Sequence, residues 1–381
     1  MEPVILHWIC DAPSPYNAQL FKSLAADDQS AAAQLDLWVH YRRSAISSHP
    51  WQSSFTEGYN CRTFRHILGV DWKTIRLSFG QRSRGRVKWF IVGGWNHPTA
   101  WLTLLSLCVQ RGNVIIWTDT PDQSRVRRGF RQWARSIFLR WVFTRARFIM
   151  GTGKPALHAL ELMGAPKAKL VNFPCWIDER SYLASVEERA SRRREGRPIV
   201  FLSSGLVQNS RKGHDVALRS FAVARGYCGQ PFEYRIAGSG PDEGAVRSLA
   251  ESLGLQDCVK LLGWLEPEEL IGQLAQADVF IHPSPVHEPY GVAVLEAMAA
   301  GLAILASDRT CAAIDRIIPG VNGEIHKSGD HEALAIHISS LLSAPNEIAR
   351  LGEAAASTAS QWPLARGKSK IKNLICREEV S

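Results

Sequence analysis

Long apolar runs are missing from this chain of 381 residues. No stretch reaches the roughly 18 residues that cross a bilayer, the longest candidates lying near Trp101–Val109. No Cys-x-x-Cys occurs among the eight scattered cysteines (Cys10, Cys61, Cys108, Cys175, Cys228, Cys258, Cys311 and Cys376). That excludes a local zinc or disulfide framework and favours buried thiols in a reducing cytoplasm. The phosphate-loop spacing Gly-x4-Gly-Lys-Ser/Thr is also missing. Gly151-Thr-Gly153-Lys154 resembles it only superficially and reads as a strand-to-helix turn. No Asp-x-Asp triad offers itself to a metal, and neither an internal repeat nor a low-complexity segment is evident. Glu2 is followed directly by an apolar strand, Val4–Ile9, so no secretory signal is expected and the protein reads as cytoplasmic.

Acid is scarce where base is plentiful. The formal net charge is +9, and from Gln123 to Leu160 there is not one Asp or Glu, while arginines crowd in. On a helix, Val126, Phe130, Trp133, Ile137 and Trp141 form one apolar stripe, with Arg127, Arg128, Arg131 and Arg135 on the opposite side. Two readings are open: an amphipathic helix on an anionic membrane surface, or the core face of an α/β helix with solvated arginines outside. A second basic cluster, Arg82, Arg84, Arg86 and Lys88, precedes the strand at Trp89. Nucleic acid also fits the charge, but no recognition motif accompanies it, so no nucleic-acid partner is expected.

The length exceeds a comfortable single core, which predicts two domains. Strands alternating with helical stretches predict an α/β class with parallel sheets. In the first half these are strand Val4–Ile9, helix Asn17–Ala26, strand Leu35–His40, strand Phe90–Val92, helix Pro98–Gln110 and strand Asn113–Trp117.

The most informative segment is His287-Glu288-Pro-Tyr290-Gly291-Val292-Ala-Val-Leu-Glu296-Ala-Met-Ala-Ala-Gly301. Two carboxylates stand eight positions apart, one just before a predicted helix and one two turns into it. The Pro-Tyr-Gly between them lets backbone approach a ligand and frees the N–H groups at the helix start, which bind phosphate through those donors and the macrodipole. Carboxylates cannot neutralise phosphate, so these two accept hydrogen bonds from sugar hydroxyls in this reading. Phosphate and polyol at one helix start point to a nucleotide-sugar site.

Around it lie Phe201-Leu-Ser-Ser-Gly205, Arg211-Lys212-Gly213-His214 opening a helix Asp215–Ala224, and Tyr234-Arg-Ile-Ala-Gly238-Ser-Gly240-Pro241. Val259-Lys-Leu-Leu-Gly263-Trp264, a helix Pro267–Ala277 and Val279-Phe-Ile-His282-Pro283-Ser284 follow. With the strand Ala303-Ile-Leu-Ala306 after Gly301, these blocks in this order resemble glycosyltransferase family 4, retaining enzymes of the GT-B fold. The resemblance implies two Rossmann-like domains facing each other across a cleft. Residues 1–178 would bind acceptor, 179–197 link, 198–361 bind nucleotide sugar, and 362–381 form a helix packing back on the first domain.

The resemblance also implies roles. Lys212 would bind the diphosphate beside Gly205, with backbone donors near Gly291 and Val292. Glu288 would hold the donor sugar and Glu296 the ribose. The Gly238–Pro241 loop, with Gly240, and Trp264 would contact the base. Retention by a front-face route is implied, with no metal and no cofactor beyond the donor, UDP- or GDP-linked, and a saccharide or lipid-linked acceptor. A general base would come from the first domain. His97 and Asp119 stand just past the ends of predicted strands, where ligand groups gather in α/β sheets. His97 is otherwise a turn histidine, and Asp119 otherwise an N-cap.

Two departures stand out. The family usually has arginine after the glycine matching Gly205, where this chain has Leu206, with Arg211 a substitute charge. The first domain's glycine-rich loop is replaced by Pro13-Ser-Pro-Tyr-Asn17. Both put diphosphate affinity or donor identity in question. They keep open a degenerate GT-B protein that binds nucleotide sugar without transferring it.

Overall fold

The structure, a computed structural model, describes residues 3–26, 35–45, 56–83, 85–122, 129–182, 191, 196–227 and 229–376. The chain divides into two compact units, Met1–Ile177 with Leu364–Ser381, and Asp178–Pro363.

The first unit carries β1 (Val4–Cys10), β2 (Leu35–Tyr41), β3 (Asn60–Thr63), β4 (Arg82–Ser83), β5 (Arg86–Gly93), β6 (Asn113–Thr118), β7 (Phe148–Gly151) and β8 (Leu170–Asn172). Their order is β3-β2-β1-β5-β6-β7-β8, parallel throughout, with β4 antiparallel on β5. A parallel sheet covered on both faces needs strands apolar on both sides, and Leu6, Trp8 and Ile9 in β1 are fully buried. The helices are α1 (Pro15–Ala25), α2 (Trp72–Leu77), α3 (Pro98–Val109), α4 (Phe130–Arg145) and α5 (Lys154–Leu162). Proline opens α1 and α3, where its missing N–H costs nothing. Asp71 caps α2 by accepting from Thr74 N–H. The strand anticipated at Phe90–Val92 runs longer, because Val87–Trp89 pairs with β1 and Arg86 and Val87 pair with the short β4.

Helix α4 turns Phe130, Trp133 and Ile137 of its anticipated stripe outward, while Trp141 packs half-buried against the core and Val126 lies outside the described residues. Leu139, Val142 and Phe143 face the core, whereas Phe130 and Trp133 are 78% and 60% exposed. The core-face reading is therefore corrected for Phe130, Trp133 and Ile137: the helix has two apolar sides, and the sheet takes mainly the other one. Arg127 and Arg128 lie outside the described residues, as does the side chain of Arg131, and Arg135 is half-buried.

The second unit is a six-stranded parallel sheet of β9 (Ile199–Ser204), β10 (Phe232–Ala237), β11 (Val259–Gly263), β12 (Val279–His282), β13 (Ala303–Ser307) and β14 (Glu324–His326). The order β11-β10-β9-β12-β13-β14 is the 3-2-1-4-5-6 order of a dinucleotide-binding fold. Chain direction across the sheet reverses between β9 and β12, which defines the crevice where ligands bind such sheets. Among the described residues its helices include α6 (Asn209–Lys212), α7 (His214–Tyr227), α8 (Glu243–Ser252), α9 (Pro267–Gln276), α10 (Val292–Ala299), α11 (Cys311–Arg316), α12 (His331–Ser343) and α13 (Pro345–Ser360). Phe221 on α7 stacks on Phe232 at 4.9 Å and meets Phe201 edge-on at 5.0 Å, joining helix to sheet.

The last helix, α14 (Leu364–Cys376), belongs to the first unit and packs beside α1. Ile371, Leu374 and Ile375 are buried, and Gly367 lies so close to Trp176 that a Cβ would stand 2.6 Å from the ring.

Candidate active site

The switch point of the second unit gathers the charged groups. Strand β9 ends in a turn at Gly205 (φ +129), and a Cβ there would lie 3.5 Å from Lys212 Cε. The lysine thus lies over a turn kept bare by glycine. Lys212 does not open a long helix, as the sequence pattern implied. It ends the one-turn α6, and Gly213 (φ +70) then breaks the chain before α7 starts at His214. A Cβ on Gly213 would strike Pro283 O at 2.2 Å. Ser284 Oγ donates to Arg211 O at 2.5 Å. These contacts clamp α6 onto the end of β12 and aim Lys212 across the crevice.

Its partner there is Glu288, with Nζ to Oε2 at 2.8 Å and both side chains mostly buried. Glu288 is held by its backbone: its N–H donates to Arg309 O at 2.9 Å, and its carbonyl accepts from Cys311 N at 3.3 Å. Burial works to raise the Glu288 pKa, but Lys212, with Arg211, outweighs it and holds the carboxyl below its usual range. Glu288 is therefore an anion at neutral pH, suited to accept hydrogen bonds from hydroxyls. An ammonium has three donors, and Glu288 takes one.

His282 closes β12 fully buried, and its Nε2 stands 4.0 Å from Glu288 Oε2. Burial, then the Lys212 charge, depress its pKa to about 3, so the ring is neutral. Among the described residues that Nε2 has no hydrogen-bond partner. Sequence reasoning placed His282 near the site without a role; its signal was a histidine ending an apolar strand. Beside it Gly291 (φ +93) leads into α10, whose first turn no side chain caps. Helix starts leave N–H groups unsatisfied, and here they open beside Lys212, Glu288 and His282.

Other expected groups go elsewhere. Tyr290 is buried, and its hydroxyl accepts from Arg316 Nη2 at 3.1 Å. Arg316 in turn stacks on the Trp362 ring at 3.8 Å. The Tyr290 side chain therefore braces the loop behind Glu288. Glu296 accepts from the Tyr182 hydroxyl at 3.0 Å. Burial pushes the Glu296 pKa up, and the Tyr182 bond partly opposes this. Tyr182 was not foreseen; it lies 114 residues away in sequence and shows no local motif. Gly238 and Gly240 allow backbones to touch: Cβ atoms there would meet Gly205 O at 1.8 Å and Val207 O at 2.3 Å. Gly240 N–H donates to Glu243 Oε1 at 2.8 Å, and Pro241 is exposed. Trp264, a third exposed, donates weakly to Glu266 at 3.4 Å.

His97 and Asp119 lie in the first unit, at the C-terminal ends of β5 and β6. His97 is the N-cap of α3, its Nδ1 accepting from Ala100 N at 3.2 Å. The proton is then on Nε2, and burial, followed by the Arg42 charge, lowers the pKa to about 4. In this arrangement His97 is a hydrogen-bond donor, and a base only if the cap opens. Asp119 is exposed; the next described helix begins at Phe130 with Gly129 as its cap, so Asp119 is not an N-cap.

The chain is similar in sequence and in fold to known glycosyltransferases. Residues 185–358 match the family Glycosyl transferases group 1. The amylovoran biosynthesis glycosyltransferase AmsK of Erwinia amylovora is 31% identical over 186 residues, covering 47% of this chain and 43% of that protein. A phosphatidyl-myo-inositol mannosyltransferase of Mycobacterium leprae is 32% identical over 181 residues, covering 47% and 46%. The chain thus spans less than half the length of these relatives. Among solved structures, Anabaena Alr3699/HepE in complex with UDP aligns with a TM-score of 0.74 at 16% identity, over 98% of this chain and 99% of that one. The apo lipopolysaccharide outer core galactosyltransferase WaaB aligns at 0.72 and 14% identity, over 98% and 99%. The fold is GT-B, two Rossmann-like α/β domains. Residues 185–358, most of the second, are similar to the Glycosyl transferases group 1 family.

Proposed function

We propose that this protein is a retaining, metal-independent glycosyltransferase. It moves a hexose-type sugar from a UDP- or GDP-linked donor to a saccharide or lipid-linked acceptor, in surface polysaccharide or glycolipid assembly. The observation that carries the reading is the Lys212–Glu288 pair spanning the β9–β12 switch point, with the bare Gly205 turn under the lysine and the uncapped start of α10 beside it. Support for the donor class comes from HepE, solved with UDP, and from GDP-mannose-dependent relatives. Support for the acceptor class comes from relatives named for amylovoran and phosphatidylinositol products.

In the proposed reaction the bond from the sugar's anomeric carbon to the β-phosphate oxygen breaks, and its electron pair leaves with the nucleoside diphosphate. Lys212 and the N–H groups of Val292 and its neighbour stabilise that growing charge, the largest contribution such a site can make. Glu288 holds the sugar hydroxyls and Glu296 the ribose. The acceptor oxygen bonds to the anomeric carbon on the face the phosphate leaves, and its proton passes to the departing phosphate oxygen. Leu206 leaves the diphosphate one guanidinium short of the family pattern, with Arg211, exposed beside Lys212, the nearest replacement.

The test is donor hydrolysis and thermal stabilisation across UDP-, GDP-, ADP- and TDP-sugars. One donor is expected to stabilise the protein and be hydrolysed slowly, and Lys212→Ala and Glu288→Ala are expected to lower turnover by about a hundredfold or more. A donor that binds but never turns over, even with lipid-linked acceptors, would make the protein a nucleotide-sugar binder. Full turnover in Glu288→Ala would remove the proposed site.

A further inference from the structure

Two donors approach the same oxygen of Glu288. Lys212 Nζ holds Oε2 at 2.8 Å, and His282 Nε2 stands 4.0 Å from that atom. His282 is 3% exposed, and among the described residues its Nε2 has no hydrogen-bond partner. Buried ring nitrogens are ordinarily paired, so one that is not calls for a reason.

The two donors differ in freedom. The ammonium rides on a four-carbon stem that rotates readily. The imidazole is fixed, because His282 is the last residue of β12, in register with Ala306 of β13, and its ring lies 18° from parallel to that of Phe280. Gly291 keeps the space beside it bare: a Cβ there would lie 3.5 Å from Glu288 Cγ and 3.8 Å from His282 Nε2. Burial keeps the ring neutral, and an anionic carboxylate 4.0 Å away favours the tautomer with its proton on Nε2.

A diphosphate arriving at the start of α10 competes for the lysine. Its oxygens carry more negative charge than one carboxylate and draw the ammonium away from Oε2. Glu288 is then a mostly buried carboxylate that has lost its donor and faces a like charge, an arrangement that drives the side chain out of place. A shift of about 1 Å brings Oε2 within hydrogen-bond reach of the fixed imidazole.

We propose that His282 is a positioning residue of the donor site: its Nε2–H takes over Glu288 Oε2 as Lys212 turns to the diphosphate, which leaves Oε1 for a sugar hydroxyl. Lys212 can thus serve the phosphates without releasing the carboxylate, and Glu288 reaches its working position only when the diphosphate is in place. This rests on the nucleotide-sugar reading of the same site.

The experiment compares His282→Phe and His282→Gln in the full chain, with UDP and GDP as probes and their sugars as substrates. Phenylalanine keeps the ring and removes the donor, whereas glutamine returns a donor nitrogen at the place of Nε2. Because Nε2 is unpaired before the diphosphate binds, His282→Phe should hold or raise the melting temperature. Nucleoside diphosphate affinity should be unchanged, donor turnover should fall about tenfold with KM little moved, and His282→Gln should recover most of the loss. In isotope-labelled protein followed by NMR, the Nε2–H signal missing from His282→Phe should move downfield when UDP or GDP is added, and should stay still in Glu288→Ala. A signal that moves in a protein hydrolysing no donor would uphold the handover and remove the transferase reading. The handover is overturned if neither nucleotide moves the signal, if Glu288→Ala leaves the movement intact, or if a measurable donor hydrolysis is undiminished in His282→Phe. A lowered melting temperature in His282→Phe, with turnover lost equally in His282→Gln, would make the ring a packing residue and also overturn it.

Discussion

Glu296 and its phenol partner show what one hydrogen bond decides in this site. Tyr182 occupies one oxygen of the carboxylate that the ribose would use. Tyr182→Phe should cost about 1–2 kcal/mol of stability, as expected for a hydrogen bond to a carboxylate. It should leave nucleotide affinity equal or tighter, whereas Glu296→Gln should weaken it several-fold. Calorimetric titration of the two variants with nucleoside diphosphates separates these cases. If Tyr182→Phe weakens binding as much as Glu296→Gln, the tyrosine is itself a ligand. Only one member of the pair was legible beforehand. Glu296 sits in a dense local motif, but nothing near Tyr182 in sequence marks its contact. Tyr290 lies in the same motif and braces it from behind. Its ring faces Arg316, a partner that spacing alone does not reveal.

Among the elements, β9 to β13 and helices α7, α9 and α10 were readable from apolar runs punctuated by glycine, proline or charged turns, whereas β14, α8, α11, α12 and α13 were not anticipated. What those glycines do was less readable. Gly238 and Gly263 both have positive φ and pair across a bridge, yet a Cβ on Gly238 would overlap Gly205 O, whereas one on Gly263 would meet nothing within 4 Å. Gly238→Ala should therefore destabilise by more than about 3 kcal/mol, and Gly263→Ala by only about 1 kcal/mol through its backbone conformation. Urea denaturation of both variants checks the contrast, and equal losses would refute it. Periodicity likewise found the stripe on α4 without saying which way it points. The helix has apolar residues on two sides, and only packing chooses Leu139, Val142 and Phe143 over Phe130 and Trp133.

Across the whole molecule, buried histidines set the response to acid. His7, His97 and His214 are lowered from 6.5 to about 4, in each case chiefly by burial, and His282 to about 3. His7 bonds His40, which Arg62 also contacts, a network that no motif announces. Because these folded-state values lie below 6.5, the unfolded chain binds more protons between pH 6.5 and about 4. Their stabilising contribution is complete above pH 6.5 and is lost as pH falls toward 4, at up to about 1.4 kcal/mol per pH unit for each histidine. The raised carboxyl of Glu296 acts in the opposite direction, as one group against these four and against His40 and His326, which burial also lowers. Unfolding free energy measured in urea should hold above pH 7 and drop steeply by pH 5. A flat profile over that range would mean that these rings are protonated at little cost.

The first unit is not a continuous piece of chain: its last helix arrives only after the 186 residues of Asp178–Pro363 have intervened. During synthesis, then, the groove between α1 and Trp176 must wait, open to water, until Leu364–Cys376 has left the ribosome. The second unit can assemble first, as an insert already folded within an unfinished host. Bringing Leu364 back to the vicinity of Ile177 carries an entropy cost that grows only slowly with the length of the insert. A compact insert holding its own two ends together would lower that cost further, so completion of one half of the molecule depends on the folding of the other.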